Sequence, residues 1–302
     1  MTFRKTLTVA SAQYPIGEPK SLFEWQDKVA EWVADGANSG AELLLFPEYA
    51  AMEQAAIHGI EVASDLRRSL AAVAEMAGER VAFHAALAKE HGVHILVGSG
   101  PVIGSDERYL NAAQLVTPDG NIGEQTKLMM TPFERDWGIS SGGPARVFET
   151  SLGRVGIVIC YDSEFPLIAR SMAAAGAELL LVPSCTEFVS GYHRVRTGAL
   201  ARALENQIAC VTSPTIGDAP WSPAVDRNNG AAGIFVPSEH GVSDSGALAE
   251  GGLNSPGWVS ATIDFEGLRR LRSAGEMRNF TDWALQPGAE DNGSSAEVIS
   301  LI

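Results

Sequence analysis

Three reactive side chains stand at the ends of apolar or sheet-forming segments. Glu48 follows "ELLLFP", Lys127 closes "NIGEQTK", and Cys160 ends "RVGIVIC". A carboxylate, an ammonium and a thiol brought together could attack a carbonyl carbon. The thiolate is the nucleophile, and a free cysteine with a pKa of about 8.5 needs help to form it at neutral pH. A nearby glutamate can take the proton, and a lysine favours both the thiolate and the oxyanion that its attack creates. Taken singly, each residue has an ordinary explanation. A glutamate after a strand is usually solvated, a lysine closing a hairpin is usually a surface charge, and a free cysteine is usually core packing.

The elements that must position these residues are legible in outline. "GAELLLFPEYA" (residues 40–50) is echoed by "GAELLLVPSCT" (residues 176–186), with seven of eight residues shared over "GAELLLFP" and "GAELLLVP". Each copy follows a helical stretch. Before the first, Leu22, Trp25, Val29 and Trp32 recur at helical spacing, and Ser21 with Glu24 forms a capping-box pattern. Before the second, Pro166 suits the first turn of a helix. Gly40 and Gly176 suit the left-handed position after a helix end. The repeated unit of helix, glycine, buried strand, proline and polar tip predicts an approximate internal duplication. Further strands are predicted in "LTVASA", "VHILVGSG", "AGIFVP" and "WVSATID". A hairpin is predicted in "YLNAAQLVTPDGNIGEQTKL", turning at Pro118–Asp119–Gly120. "RTGALARALENQ" reads as a helix. Residues 217–256 read as long loops around one strand.

Together, "LLLFPEY", "TKLMMTPFERDWG" and "GIVICYDSEFP" resemble, in that order, the Glu–Lys–Cys signature of the carbon–nitrogen hydrolase (nitrilase) superfamily. "VASAQYP", "HGVHILVGSG", "LARALEN" and "GWVSATIDFEGLRRLR" extend the resemblance over about residues 6–285. It implies a four-layer α-β-β-α sandwich of two mixed sheets, with residues 1–285 as the hydrolase domain and residues 286–302 as a C-terminal tail or arm. It also implies Glu48, Lys127 and Cys160 as the catalytic triad, with Glu134 as a second glutamate that positions Lys127 or the substrate nitrogen. The backbone N–H of Tyr161 is the expected second oxyanion donor. Asp162 is expected as a structural hydrogen-bond acceptor, and Arg202 with Glu205 as a structural ion pair. Members of the family associate, so a homodimer or higher homo-oligomer is expected.

Composition narrows the alternatives. The 302 residues are 45% hydrophobic and 20% charged, as in an ordinary globular protein. With 22 Lys and Arg against 37 Asp and Glu, the net charge is −15, which disfavours a nucleic-acid partner. No apolar run approaches the ~20 residues that span a bilayer. "MTFRKTLTVASAQ" mimics a signal peptide, but its apolar patch, residues 7–10, is short for one, and a first strand is expected instead. Three cysteines, Cys160, Cys185 and Cys210, suit a reducing cytoplasm rather than a disulfide framework. His91 and His94 lack the helical H-E-x-x-H context of zinc proteases, and no G-x-G-x-x-G follows a strand, so neither metal nor cofactor is expected.

True nitrilases typically carry Cys-Trp-Glu at the nucleophile, whereas this chain has Cys160-Tyr161-Asp162, as in the amidase and carbamoylase branches. In the carbamoylase branch, arginines after the cysteine bind a carboxylate, but Ser163 and Glu164 stand here. Glu164, Thr186 and Glu187 are expected at the substrate site, and a small-molecule amide that is neutral or cationic is the expected substrate. Tyr192, His193, Arg194 and Arg196 are further candidates for the pocket, and Trp221 with Asp226 for a lid. Nitrile hydrolysis on the same triad is one alternative. An inactive interaction protein on the same fold is another, although it would be expected to have lost one of the three residues. An isochorismatase-like cysteine hydrolase would need an aspartate on the first strand, and "LTVASAQ" has none.

Overall fold

The computed structural model describes residues 4–289 and 296–302. Strands are β1 (Thr6–Pro15), β2 (Leu43–Leu45), β3 (His94–Ile103), β4 (Tyr109–Val116), β5 (Ile122–Thr126), β6 (Ile139–Ser140), β7 (Arg146–Thr150), β8 (Gly153–Ile157), β9 (Leu179–Ser184), β10 (Ala209–Asp218), β11 (Arg227–Asn228), β12 (Gly233–Phe235), β13 (Ala247–Glu250), β14 (Gly257–Asp264) and β15 (Glu297–Ser300). Helices are α1 (Leu22–Asn38), α2 (Ile60–Ala63), α3 (Leu66–Glu75), α4 (Ala77–His91), α5 (Pro132–Trp137), α6 (Pro166–Ala174), α7 (Val189–Asn206), α8 (Phe265–Ala274) and α9 (Asn279–Asp282).

Two mixed sheets pack face to face. One runs β14-β1-β2-β3-β4-β5, and the other β15-β7-β8-β9-β10-β12-β13. Strand alternation assigns the faces. Leu7, Val9, Leu43, Leu45, Leu96 and Leu115 point into a core shared with Val147, Val155, Ile157 and Leu181 of the other sheet. Their neighbours Ala10, Leu44 and Ile95 point outward onto Trp25, Val29 and Val33 of α1 and Leu87 and Ala88 of α4. On the far side, Met172 of α6 and Val195, Ala199 and Ala203 of α7 cover the second sheet. The result is the expected α-β-β-α sandwich.

The two echoed segments occupy equivalent places. β1-β2-β3 and β8-β9-β10 are both parallel, and each set is followed by an antiparallel strand, β4 or β12. "GAELLL" leads into β2 in one half and β9 in the other, and Gly40 (φ 84°) and Gly176 (φ 97°) are both left-handed. At their ends β1 and β10 also pair, Tyr14 with Thr215 and Pro15 with Ile216, which joins the two sheets beside the site.

Some elements depart from the sequence expectations. The helix expected from Arg196 onward begins at Val189, so Tyr192 to Arg196 lie on α7 rather than in a loop. Residues 217–256 carry three short strands rather than one, because β11 and β12 both add to β10, and β13 to β12. β15, within the expected tail, pairs in parallel with β7. The expected Ser21–Glu24 box is offset: Ser21 accepts the Glu24 N–H, but the Glu24 carboxylate takes the N–H of Lys20. Among the described residues, no helix is long and apolar enough to cross a membrane.

Candidate active site

Glu48, Lys127 and Cys160 leave three different strands and converge. Glu48 sits just past β2, where Ser99 donates its N–H to Pro47 and accepts that of Tyr49. That approach requires Gly98, because a Cβ there would lie 2.2 Å from the Pro47 carbonyl oxygen. Thr215 Oγ1 donates to the Glu48 carbonyl at 2.6 Å, tying the second sheet to the same point. Lys127 follows β5, with its N–H on the Asn111 carbonyl at 2.8 Å. Cys160 begins a short 3-10 helix, residues 160–164, three residues beyond the end of β8. Its φ of 48° is left-handed, a strain of about 1–3 kcal/mol for a residue with a Cβ. The turn is locked by Ser163 Oγ donating to the Cys160 carbonyl at 2.6 Å, and by Gly198 of α7, where a Cβ would lie 2.9 Å from the Ser163 oxygen.

Lys127 Nζ lies 2.7 Å from Glu48 Oε1 and 2.8 Å from Glu134 Oε1. All three are buried, with no more than 2% of each residue exposed. Glu134 is held by α5. Thr131 caps that helix by accepting the Glu134 N–H, and Glu134 Oε2 accepts the Thr131 N–H (2.9 Å) and hydroxyl (3.0 Å). The T-x-x-E pattern with proline at the first helical position is therefore a readable sequence signal for α5.

Two further polar residues complete the cluster, and sequence reasoning missed both. Asn111 Nδ2 lies 2.9 Å from Glu48 Oε1 and 3.1 Å from Glu134 Oε1. The Tyr49 hydroxyl donates to Glu134 Oε1 at 2.9 Å. An asparagine inside a largely apolar strand is itself a signal, since a buried amide needs partners. Tyr49 carries no comparable mark in the sequence.

The environments drive the two glutamates apart. Burial and the neighbouring Glu134 raise Glu48 above the usual carboxylate range, against the pull of Lys127. Burial acts on Glu134 as well, but Lys127, the Thr131 backbone and Asn111 outweigh it and hold its carboxyl low. Burial opposes the Lys127 charge, yet the two carboxylates lift it well above the normal lysine value. Burial and Glu48 also push up the Cys160 thiol, while Lys127 works the other way. Such a set can move a proton between thiol and Glu48 while Lys127 and Glu134 keep fixed charges.

Asp162 joins the Cys160 elbow to the segment that follows Lys127. Its Oδ1 accepts the N–H groups of Met129 (2.7 Å) and Leu128 (3.2 Å), and its Oδ2 accepts that of Ile159 (3.2 Å). Burial raises it to about 7 against the pull of Lys127 and these donors. An amide in its place would keep one accepting oxygen but turn its NH2 group toward a backbone N–H on the other side. Asp162→Asn is therefore expected to lower stability by about 1–3 kcal/mol, seen as a drop in Tm, and to reduce kcat/KM about tenfold or more.

A cavity of about 670 Å³ opens onto Cys160, Glu48 and Lys127. Glu134, Tyr161, Glu164, Thr186, Glu187, Arg194 and Asp226 also line it. Tyr49, Phe133, Trp137 and Phe188 supply aromatic surface. Tyr192, His193, Arg196 and Trp221 are not on its wall. Arg196 turns to Glu250 at 2.5 Å, and Trp221 packs in the cluster around Met52 and Val225. Glu164 is not the bare charge that its place in the sequence suggested, because Arg194, one helix away, reaches it at 3.2 Å. Arg202 and Glu205 form their expected pair at 2.7 Å. Among the described residues, no cluster of three His, Cys, Asp or Glu side chains could hold a metal ion.

A carbon–nitrogen hydrolase family model matches residues 8–272. The probable hydrolase YhcX of Bacillus subtilis is 36% identical over 276 residues, covering 89% of this chain and 52% of that protein. A bifunctional nitrilase/nitrile hydratase of Lupinus angustifolius is 30% identical over 195 residues, covering 61% of this chain and 54% of that protein. The chain thus spans about half the length of these curated relatives. Among solved structures, Nit3 of Saccharomyces cerevisiae superposes with a TM-score of 0.71 at 19% identity, covering 91% of this chain and 96% of that one. An amidase from Nesterenkonia sp. superposes with a TM-score of 0.68 at 23% identity, covering 90% and 95%. At these identities the superpositions establish the shared fold.

Proposed function

Because the chain belongs to the carbon–nitrogen hydrolase family, we propose that it hydrolyses a non-peptide C–N bond of a small molecule, an amide or N-carbamoyl bond, through a thioester on Cys160. The observation that carries this reading is the buried convergence of Glu48, Lys127 and Cys160 on one cavity.

In the first half-reaction the Cys160 proton passes to Glu48 as the sulfur attacks the substrate carbonyl carbon. The electron pair of the C=O bond becomes an oxyanion. Lys127 Nζ stabilises it, together with the N–H of Tyr161, the second residue of a 3-10 turn whose first N–H groups have no intrahelical acceptor. The C–N bond then breaks, Glu48 gives its proton to the nitrogen, and ammonia or an amine leaves the acyl thioester. In the second half-reaction Glu48 takes a proton from water, the hydroxide attacks the thioester carbonyl, and the acid is released. The proton held by Glu48 returns to the sulfur. Glu134, whose charge does not change, holds Lys127 in place throughout.

A screen of amides, N-carbamoyl compounds and nitriles for ammonia release tests this reading. Turnover of amides or N-carbamoyl compounds supports it. Turnover of nitriles alone would favour the nitrilase-like relatives' chemistry, and no turnover of any class would favour an inactive interaction protein.

The ion pair at the cavity wall makes a second prediction. With Arg194 neutralising Glu164, neutral amides should be preferred over charged ones. Arg194→Gln exposes the Glu164 carboxylate, which attracts a cation by about 1 kcal/mol at ~4 Å in a watery setting. The kcat/KM ratio of amine-bearing to carboxylate-bearing amides should therefore rise about fivefold or more in the variant. An unchanged ratio would show that Glu164 does not face the substrate.

A further inference from the structure

The acids of the cluster are held unequally. Glu134 has both oxygens occupied. Oε1 accepts from Lys127, Asn111 and Tyr49, and Oε2 from the Thr131 N–H and hydroxyl, with Lys127 Nζ also 2.7 Å from Oε2. Apart from the Cys160 thiol, Glu48 has its donors on one side only, since Lys127 and Asn111 both meet Oε1, at 2.7 and 2.9 Å. Asn111 itself is fully buried on β4 and is not on the cavity wall. We infer that Asn111 is a positioning residue: its side-chain amide, shared between Glu48 Oε1 and Glu134 Oε1, leaves Glu48 Oε2 as the oxygen that exchanges the proton with Cys160. This inference rests on the reading of Glu48 as the base.

The chemistry of the amide explains why asparagine suits this position. It supplies two N–H donors without adding charge. An aspartate would add a third carboxylate to Glu48 and Glu134. A second cation beside Lys127 would hold Glu48 ionised too firmly to accept a proton. A serine or threonine would supply one donor for two acceptors. The orientation of the amide is also decided, because turning it over would aim its carbonyl oxygen at two carboxylates. As placed, Oδ1 is buried without a hydrogen-bond partner. An unmade hydrogen bond is costly in such a place, and here it accompanies the two bonds made by Nδ2.

The charged and titratable groups that face Glu48 are Lys127 past β5, Glu134 on α5, Cys160 at its elbow, the adjacent Tyr49, and Cys185 past β9. Hydrogen bonds to a carboxylate favour its charged form, so removing the Asn111 donors should raise the pH at which Glu48 becomes able to take the thiol proton.

The probe is iodoacetamide. Its rate of alkylation at Cys160, followed by peptide mass spectrometry from pH 4 to 9, reports the thiolate directly and needs no substrate. Asn111→Leu, close in shape, is expected to move the acid limb of this profile up by about one pH unit, a tenfold lower rate at pH values below the limb. Asn111→Asp, which preserves the shape and so guards against a folding failure of the leucine variant, is expected to move the limb at least as far. The acid limb of kcat/KM on an amide identified by the screen should move with it. A folded variant that is slowed equally at every pH, with the limb unmoved, would overturn the inference and leave Asn111 as packing. A failure of the wider reading looks different: in the unmodified protein Cys160 would then react no faster than Cys185 and Cys210, or its rate would not change in Glu48→Gln.

Discussion

Cys160→Ala is expected to abolish turnover while the fold persists. Loss of a covalent nucleophile lowers kcat by roughly 10⁴–10⁶-fold, because oxyanion donors and binding alone cannot replace the covalent step. The fold should tolerate the change. Alanine retains the Cβ, Ser163 Oγ bonds the backbone carbonyl rather than the sulfur, and Asp162 holds the elbow through backbone N–H groups. A stability change of about 1 kcal/mol is expected for a single buried sulfur. In the unmodified protein, iodoacetamide should label Cys160 before Cys185 and Cys210. Burial keeps the thiols of Cys185 and Cys210 protonated, and neither has Glu48 as a hydrogen-bond partner. Measurable ammonia release by the folded alanine variant would sink the thioester mechanism.

The second large effect is expected at Lys127. Lys127→Met removes the cation between Glu48 and Glu134 and leaves two buried carboxylates facing one another. Breaking a buried pair from one side costs about 3–5 kcal/mol, so Tm should fall sharply. Catalysis should fall to near background, since the oxyanion loses its cation and Glu48 its partner. The loss should also depend on pH. Without Lys127, burial and mutual repulsion raise both carboxyl groups above their unfolded values. A group with a raised folded pKa contributes stability that is present below its unfolded pKa, about 4.3 for glutamate, and lost as the pH rises through the folded value. The variant should therefore approach the stability of the unmodified protein at pH 4–5 and diverge from it by pH 8. A constant difference across that range would mean that Lys127 does not neutralise this pair. Glu48→Gln should likewise fall to background. The double variant with Lys127→Met should be little worse than either single one, as expected for members of one catalytic unit.

The layout of the sandwich was legible because burial imposes a local pattern. Strands covered on both faces read as near-continuous apolar runs, and "GAELLL" announced the same structural unit twice. Glu48, Lys127 and Cys160 were legible for a related reason: a reactive side chain directly after such a run breaks the pattern where strand ends converge. The departures came where long-range contacts outweigh local preference. α7 begins seven residues before the stretch read as helical, and its first turns form part of the cavity wall. β11 to β13 are short strands whose pairing with β10 and with one another exists only in the assembled sheet.

The sequence by itself determined the chemistry available, namely a thiol, an ammonium and carboxylates at the ends of buried strands. Only the tertiary structure decided how these groups are charged. Glu48 and Glu134 are the same residue type, and nothing local distinguishes the raised carboxyl of one from the lowered carboxyl of the other. The difference arises because Glu134 meets Lys127, Tyr49, Asn111 and Thr131 on both oxygens, whereas, apart from the Cys160 thiol, the donors to Glu48 meet one oxygen only. The partner of Glu164 was likewise decided by the fold, since it is an arginine thirty residues away on α7. Electrostatic character depends on distances of a few ångströms between segments far apart in the chain, and those distances exist only after folding.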